Sequence, residues 1–469
     1  MSNIMADIDY ENIVGIWTIH FEDGTTEDLS GNLDTNSYSL LVHGKIKEHP
    51  WILNAIEDNI KFYITGSTVY NINMTLYGCF FVKSSRTPDG IVHVKINFNE
   101  AMMGSVLLKN KTEQTFIGIE FELSCFESLM IQEEGVIEYV DRYGEVRLYN
   151  EYVNGTKKIK CLVRFKDEIS IQYSIDIMQE IRYFFVFLYC NRVNIYNSVL
   201  SVRQENGNTI NFILISRTYS DKPIPQYHYE VFPRIGKNLI CRWSKIYPVY
   251  KEQIKPIFEI LTHDDTGSER ALVTCAHALE GFFRIISKRE NIFKKYKIDK
   301  NLFESEIKKI NNILHSDEIE ENVCILIKEV LKYANEVTLK DKLRQLLCRF
   351  LNENLYSYFV ITPKGEENID IDKYLYIIVN IRNYYAHLDS SNMKKGIACV
   401  INDIEELYNY KVSLFSFLYV LIAKEYFCDD DEVEYRILNN ISFPFTLQFY
   451  ENRIKKKTSE AILKMDDHF

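Results

Sequence analysis

The hexapeptide Arg-Asn-Tyr-Tyr-Ala-His at residues 382–387 brings an arginine, an amide and a histidine together. Such a trio could cleave RNA without a metal or cofactor, because RNA carries its own nucleophile in the 2′-hydroxyl. One group must take that proton, one must protonate the leaving 5′-oxygen, and positive charge must lie on the phosphate. Arg382 would supply the charge, and His387 would act as general acid or base. Asn383 would hold the phosphate, the ribose or the histidine.

An amphipathic pattern puts the hexapeptide at the end of a helix. Apolar residues recur at spacings of four and three, which predicts a helix over roughly 370–388 with one face packed into a bundle. His387 falls where this helix should stop, and the negative end of the helix dipole would favour a protonated imidazole there. The apolar stripe consists of Tyr374, Ile378, Ile381, Tyr385 and Leu388.

The spacing within the hexapeptide predicts a site shared by two copies of the chain. Asn383 and His387 share a helix face, whereas Arg382 is turned away from His387 by about 140°. One histidine also cannot easily act as base and acid in the same step. Two copies around a two-fold axis would bring two arginines and two histidines to one cleft. The structural alternative is that Arg382 pairs with a carboxylate and His387 only caps the helix.

The chain changes character near residue 256. Fourteen of the 18 glycines and seven of the nine prolines lie in residues 1–256. In this part short β-branched and aromatic runs alternate with residues typical of turns. Beyond that point the spacing between apolar residues changes from two residues to three and four residues, which is typical of helices. We therefore predict an α+β protein with a strand-rich N-terminal sensing or regulatory domain at residues 1–255 and an all-helical domain at residues 256–469.

Periodicity also predicts the individual elements. The stretch 183–200 is rich in apolar and aromatic residues, and the sequence does not decide between helix and strand there. Residues 412–423 should be buried in the bundle or against another copy. Strands are predicted at 92–98, 115–123, 160–165, 169–175 and 209–215. Helices are predicted roughly at 267–290, 301–314, 317–335, 338–354, 370–388 and 396–427.

Composition disfavours several classes of protein. A net charge of −11 argues against general coating of nucleic acid, so RNA would bind at a local patch. Lys394 and Lys395 are candidate phosphate contacts in such a patch. The alternative is that they are part of the solvated surface. The ten scattered cysteines indicate reduced thiols rather than a zinc site or a disulfide framework. Because no segment resembles a signal peptide or a membrane span, we expect a cytoplasmic protein without a membrane partner.

The first helix of the C-terminal half carries a second polar stripe. His277, Glu280, Arg284 and Lys288 are spaced by three, four and four residues. A solvated helix face explains this stripe. The alternative is that Glu280 and Arg284 border the cleft, with Glu280 orienting Arg382.

The layout resembles a known family. The Arg-Asn-x3-His pattern on the penultimate long helix of an all-helical domain is similar to the HEPN ribonucleases, whose sites are built from an Arg-x4-His motif at a dimer interface. Three short segments of the N-terminal region extend the resemblance to the ApeA anti-phage defence proteins, so that it covers most of the chain. They are Gly15-Ile16-Trp17, Asn-Met-Thr-Leu-Tyr-Gly-Cys at 73–79 and Ile-Gly-Ile-Glu-Phe at 117–121.

This resemblance implies metal-independent RNA cleavage that halts translation and growth in infected bacteria. Arg382 and His387 match its two defining positions, and Asn383 matches the polar position after the arginine. The implied partners are an RNA such as tRNA, a second copy of the chain and a phage-derived trigger. The resemblance implies no cofactor.

Two other classes of function stay open. In the first, the helical domain is a non-catalytic dimerisation or nucleotide-binding module that regulates a partner enzyme, and the hexapeptide is structural. In the second, the chain is the antidote of a nucleotidyl-transferring partner encoded beside it.

Overall fold

The computed structural model describes residues 13–44, 62–69, 72–108, 114–124, 135–153, 156–189, 192–204, 206–216, 238–262, 267–290, 293–314, 320–351, 359–361, 370–387, 400–428 and 433. Within these ranges a strand-rich N-terminal region precedes a helical C-terminal region, so the predicted α+β class is confirmed.

An antiparallel sheet of 14 strands forms the N-terminal region, in the order β10-β11-β12-β9-β13-β14-β8-β5-β4-β1-β2-β3-β7-β6. The strands are β1 (Ile13–Phe21), β2 (Thr26–Asp34), β3 (Ser39–Gly44), β4 (Phe62–Thr68), β5 (Asn73–Tyr77), β6 (Phe80–Arg86), β7 (Val92–Asn97), β8 (Glu100–Gly104), β9 (Thr115–Leu123), β10 (Val136–Val140), β11 (Gly144–Val153), β12 (Thr156–Ser170), β13 (Ile195–Arg203) and β14 (Thr209–Ser216).

Alternating burial explains why β1 forms. Trp17 and Ile19 are fully buried, whereas Val14 and Ile16 before them are exposed, which is the period of two expected of a strand with one face on a core. The Trp17 ring needs a glycine on the neighbouring strand, since a Cβ at Gly66 would lie 2.2 Å from it. Of the predicted strands, 92–98, 115–123, 160–165 and 209–215 are confirmed as β7, β9, part of β12 and β14.

The predicted strand at 169–175 is wrong beyond Ser170. There β12 ends and the helix α1 (Ile171–Tyr189) begins, and the unassigned stretch 183–200 holds the end of α1 and the start of β13. Most α1 side chains are buried, so the sequence shows no clear polar face by which to recognise the helix. The helix packs on β9 and β12.

A further helix, α2 (Leu239–Thr262), lies in a region predicted to be strand-rich. Its two prolines, Pro248 and Pro256, disfavour a helix in a sequence-based prediction, and the helix is kinked at Tyr250. The chain divides into two compact units inside α2. The first comprises Met1–His228 and Phe232–Ser244, and the second comprises Tyr229–Val231 and Lys245–Phe469.

Six helices of the second unit correspond to the six predicted ones. Five agree to within four residues at both ends, whereas the last begins at Ile404 rather than at residue 396. None of the helices in the described ranges is long and apolar enough to cross a membrane. The six are α3 (Ser268–Arg289), α4 (Lys300–Leu314), α5 (Glu321–Ala334), α6 (Leu339–Phe350), α7 (Ile371–His387) and α8 (Ile404–Phe427).

Helix α3 is the centre of this bundle and packs against α6, α7 and α8. Helix α8 begins at Asp403, whose carboxylate accepts hydrogen bonds from the backbone N–H groups of Glu405 and Glu406. From Val412 to Lys424 every residue of α8 is buried, so the expected burial of residues 412–423 in the bundle is confirmed. This core fixes the helices that carry the hexapeptide and the second polar stripe.

The described cysteines are all free thiols. Four of the seven are buried, as the scattered pattern predicted. These four are Cys79, Cys161, Cys275 and Cys324.

Candidate active site

The predicted packing face of α7 is confirmed. Tyr374, Ile378 and Ile381 are buried, Tyr385 is half-buried, and Leu388 lies outside the described residues. The hexapeptide therefore follows directly on a buried residue of the bundle.

Contacts with α8 hold α7 in place. The Tyr374 hydroxyl lies 2.5 Å from Ser413 Oγ, and the Tyr374 ring stacks on Tyr410 with 5.9 Å between centroids. Since Ile381 is fully buried in this packing, the next residue, Arg382, emerges at the edge of the bundle, where its side chain is half-buried.

The Arg382 guanidinium has two neutral partners. Its Nη1 donates to Asn383 Oδ1 at 3.0 Å, and its Nη2 lies 2.9 Å from Nε2 of His277 on α3. The third nitrogen, Nε, is buried and has no partner within the described part of the chain. A buried donor without a partner is unfavourable, so the described residues leave part of the hydrogen-bonding capacity of Arg382 unused.

Arg382 keeps its positive charge uncompensated in this arrangement. Among the described residues no carboxylate forms an ion pair with it, so the structural alternative of an Arg382–carboxylate pair is absent there. A guanidinium that is fixed but not neutralised is suited to bind a phosphate group.

The contact with Arg382 defines the state of His277. A guanidinium can only donate hydrogen bonds, so Nε2 accepts and the ring proton of the neutral imidazole lies on Nδ1. Burial lowers the pKa of His277 and the Arg382 charge lowers it further, while Glu280 acts in the opposite direction. Burial and the Arg382 charge, the two larger effects, therefore both favour the neutral ring that the hydrogen bond requires.

Glu280 has other partners than the one predicted. The expectation that it orients Arg382 is wrong, because its Oε1 accepts from Lys342 Nζ on α6 at 2.7 Å and from Arg284 Nη2 at 3.0 Å. Burial alone would raise the pKa of Glu280, but the hydrogen bonds and charges of Lys342 and Arg284 outweigh it and lower the pKa. The carboxylate thus neutralises two other cations and joins α3 to α6.

The remaining predicted site residues lie at or beyond the end of α7. His387 is the last residue of that helix, close to the predicted helix end. Lys394 and Lys395 lie outside the described residues, so their role as phosphate contacts stays a prediction.

Part of the second unit is similar to a known family. Residues 273–431 match the Apea-like HEPN family model. This segment contains His277, Arg382, Asn383 and His387, and its position confirms the predicted C-terminal resemblance. No curated protein and no solved structure matches the chain. The N-terminal resemblance to ApeA proteins lies outside the matched residues and stays a prediction.

His277 lies in the matched segment, and its contact with Arg382 was not predicted from the sequence. It belonged to the predicted polar stripe of α3, but the stripe alone favoured Glu280, a carboxylate, as the partner of an arginine. The two residues are three apart on one helix face, so only the tertiary packing of α3 against α7 decides which of them meets Arg382. The sequence did contain one signal for this contact, namely a histidine in the polar stripe of a chain that also carries an arginine motif.

Proposed function

We propose that the chain is a metal-independent endoribonuclease of the HEPN type that acts in anti-phage defence. The observation that carries the proposal is the Arg382 guanidinium, held by Asn383 and His277 without a carboxylate partner in the described residues, inside the segment that matches the Apea-like HEPN model. Cleavage of tRNA or another host RNA would stop translation in the infected cell.

In the proposed reaction the ribose 2′-oxygen attacks the adjacent phosphorus and the bond from phosphorus to the 5′-oxygen breaks. A general base takes the 2′-hydroxyl proton, and a general acid gives a proton to the leaving 5′-oxygen. Arg382 stabilises the charge that develops on the phosphate oxygens. His387 supplies the acid or base function, and Asn383 fixes the guanidinium.

A second copy of the chain is part of the proposal. A single His387 would have to act as base and acid in one step, whereas two copies around a two-fold axis supply one histidine for each role. The N-terminal region is then the natural part to sense a phage-derived trigger or to restrain the nuclease, because uncontrolled RNA cleavage would kill the host.

Two single substitutions test the proposal. Arg382→Ala and His387→Ala should each abolish RNA cleavage and protection from phage while leaving the circular dichroism spectrum unchanged. Arg164→Ala, which removes an exposed arginine of β12, is the matched control and should keep full activity. Folded Arg382→Ala and His387→Ala proteins that still cleave RNA and protect cells would contradict the proposal.

Chelation tests the metal-independent part of the mechanism. The expectation that the site needs no metal stays a prediction, and cleavage should continue at an unchanged rate in excess chelator. Loss of cleavage that returns on addition of a divalent metal would exclude the proposed chemistry.

The alternative is a non-catalytic module that regulates a partner enzyme. It predicts that the purified protein binds a partner or a nucleotide but leaves labelled RNA intact under all conditions. Cleavage by the wild-type protein that is absent from Arg382→Ala would exclude this alternative.

A further inference from the structure

The Arg382–His277 contact joins two helices that are far apart in sequence. Arg382 lies one turn before the end of α7 and His277 lies in the middle of α3, and their side chains meet at 2.9 Å between Nη2 and Nε2. The other partner of Arg382, Asn383, is its neighbour on the same helix. Among the described residues, His277 is thus the hydrogen-bond partner that fixes the guanidinium relative to the rest of the bundle.

We propose that His277 is a positioning residue, whose neutral imidazole accepts a hydrogen bond from Arg382 and directs the guanidinium toward a bound RNA phosphate. This inference rests on the proposed ribonuclease function. It assigns His277 no proton transfer, because the lone pair that a base would need is engaged with Arg382 in this arrangement.

The donors that remain on Arg382 support this assignment. A guanidinium has five N–H groups, and Asn383 and His277 each engage one. Of the three that remain, one is on Nη1 and one on Nη2, while Nε–H is buried and has no partner in the part of the chain that the structure describes. Holding the fork at neutral acceptors leaves its charge and one N–H on each terminal nitrogen for a phosphate.

The charged groups around His277 predict how the contact responds to pH. From α7, Arg382 faces it. On α3 itself Glu280 lies nearby, but this carboxylate is paired with Arg284 and with Lys342 from α6. The titratable group from α8 is Lys411, which interacts with Cys275 and Glu269 rather than with His277.

Protonation of His277 would break the contact. A protonated imidazole has two N–H donors and no acceptor, and its charge would repel the guanidinium. Because burial and Arg382 lower the pKa of His277, the ring stays neutral near pH 7 and gains its proton only below the ordinary histidine range. Arg382 should therefore lose its fixed position as the pH falls, which adds a loss of activity at low pH to the one caused by protonation of the general base, His387.

Two variants separate positioning from a general structural role. Glutamine presents an acceptor oxygen at about the distance of Nε2 but does not titrate, whereas alanine removes the acceptor. His277→Ala should lower kcat/KM for labelled RNA at pH 7 by roughly tenfold, the effect of one hydrogen bond to a charged group. His277→Gln should stay near the wild-type rate at pH 7, and its kcat/KM should fall less steeply than that of wild type as the pH is lowered. His93→Gln, on β7, is the matched control and should leave the pH profile unchanged.

A double substitution tests whether His277 acts through Arg382. On an Arg382→Lys background, where the fork is absent but a charge remains, His277→Ala should have little further effect on kcat/KM. Additive losses, a wild-type rate for His277→Ala, or an equally steep fall of kcat/KM at low pH in His277→Gln and wild type would each overturn the positioning role.

The titration of His277, followed by NMR on protein with labelled histidines, gives a readout that does not depend on cleavage. Arg382→Ala should raise the pKa of His277, and an unchanged titration would overturn the contact itself.

The two proposals fail differently. If Arg382→Ala abolishes cleavage but His277→Ala does not lower it, only the positioning role is wrong. If Arg382→Ala cleaves RNA at the wild-type rate, both are wrong.

Discussion

At the scale of single residues, the geometry of Arg382 matters as well as its charge. Its guanidinium donates from two nitrogens to two different side chains, Asn383 and His277, and its third nitrogen is unpartnered in the described residues. A lysine ammonium is a single charged point on a flexible stem and cannot reproduce this fork. The two cations are therefore not interchangeable at this position.

Arg382→Lys tests that distinction. It keeps the charge but should lower kcat for RNA cleavage by at least about a hundredfold, the effect of removing one donor that stabilises a developing oxyanion. Single-turnover cleavage of a labelled RNA at fixed salt measures kcat, and a binding titration at the same salt controls for RNA affinity. A variant that cleaves at the wild-type rate would show that a point charge is sufficient.

The sequence predicted some parts of this site and missed others for an identifiable reason. Spacing along one helix is local information, so the positions of Arg382, Asn383 and His387 on α7 could be predicted from the hexapeptide. The partner of Arg382 depends on the rotation of α3 about its axis against α7, which is not encoded in either helix alone. For that reason Glu280 was predicted as the partner of Arg382, whereas the structure shows His277 in that place.

Glu280 gives a prediction about stability and pH. Its folded-state pKa lies below its ordinary value of 4.5, so its ion pairs stabilise the protein above that pH, and this stabilisation is lost as the pH falls through the folded value. Glu280→Gln should lower the free energy of unfolding at pH 7 by about 1 kcal/mol, since the pair is partly exposed to solvent.

Urea denaturation followed by circular dichroism at pH 7 and in acid measures this effect. The difference between wild type and Glu280→Gln should shrink as the pH falls, because the wild-type carboxylate then becomes neutral too. A difference of the same size at both pH values would show that the charge of Glu280 contributes nothing to stability.

At the scale of elements, the helices with apolar residues at spacings of three and four were predictable, whereas α1 and α2 were not. α3 and α7 have apolar residues at spacings of three and four, and both lie close to their predicted positions. α1 is apolar on most sides and α2 contains two prolines, so neither gives the usual signal. The site rests on helices of the first kind, which is why its location could be predicted.

The start of α6 gives an element-scale prediction, because this helix carries Lys342, the partner of Glu280. Thr338 Oγ1 accepts from the backbone N–H of Asp341 at 3.2 Å, and the Asp341 carboxylate accepts from the N–H of Thr338 at 3.1 Å. Thr338→Ala removes this capping box and should lower the free energy of unfolding by about 1 kcal/mol.

Thr338→Ser keeps the capping oxygen and should restore most of the lost stability. Thermal denaturation at 222 nm compares the three proteins. Equal melting temperatures for the alanine variant and wild type would mean that the box does not limit the stability of α6. RNA cleavage well below the melting temperature should not change, since the cap does not touch Arg382 or His277.

At the scale of the whole molecule, the match to the Apea-like HEPN model and the contacts of Arg382 both fall in the second compact unit. The change of glycine, proline and apolar spacing along the sequence predicted a strand-rich and a helical region, because these are average properties of long segments. A composition shift cannot tell which residues of α2 belong to which unit. It also carries no information about a second copy, for which a functional test is needed.

Mixing active and inactive chains provides that test. A chain with both Arg382→Ala and His387→Ala contributes neither group, so a mixed pair would hold one arginine and one histidine instead of two of each. If the site needs both halves, co-expression with a fourfold excess of the inactive chain should lower the activity per wild-type chain to about one fifth, the chance that a wild-type chain pairs with another. Mass spectrometry of differently tagged chains measures the ratio, and co-expression with a fourfold excess of an unrelated protein controls for crowding. A single chain that is active by itself predicts no loss at any excess, and this outcome would exclude the shared cleft while leaving the roles of Arg382 and His387 intact.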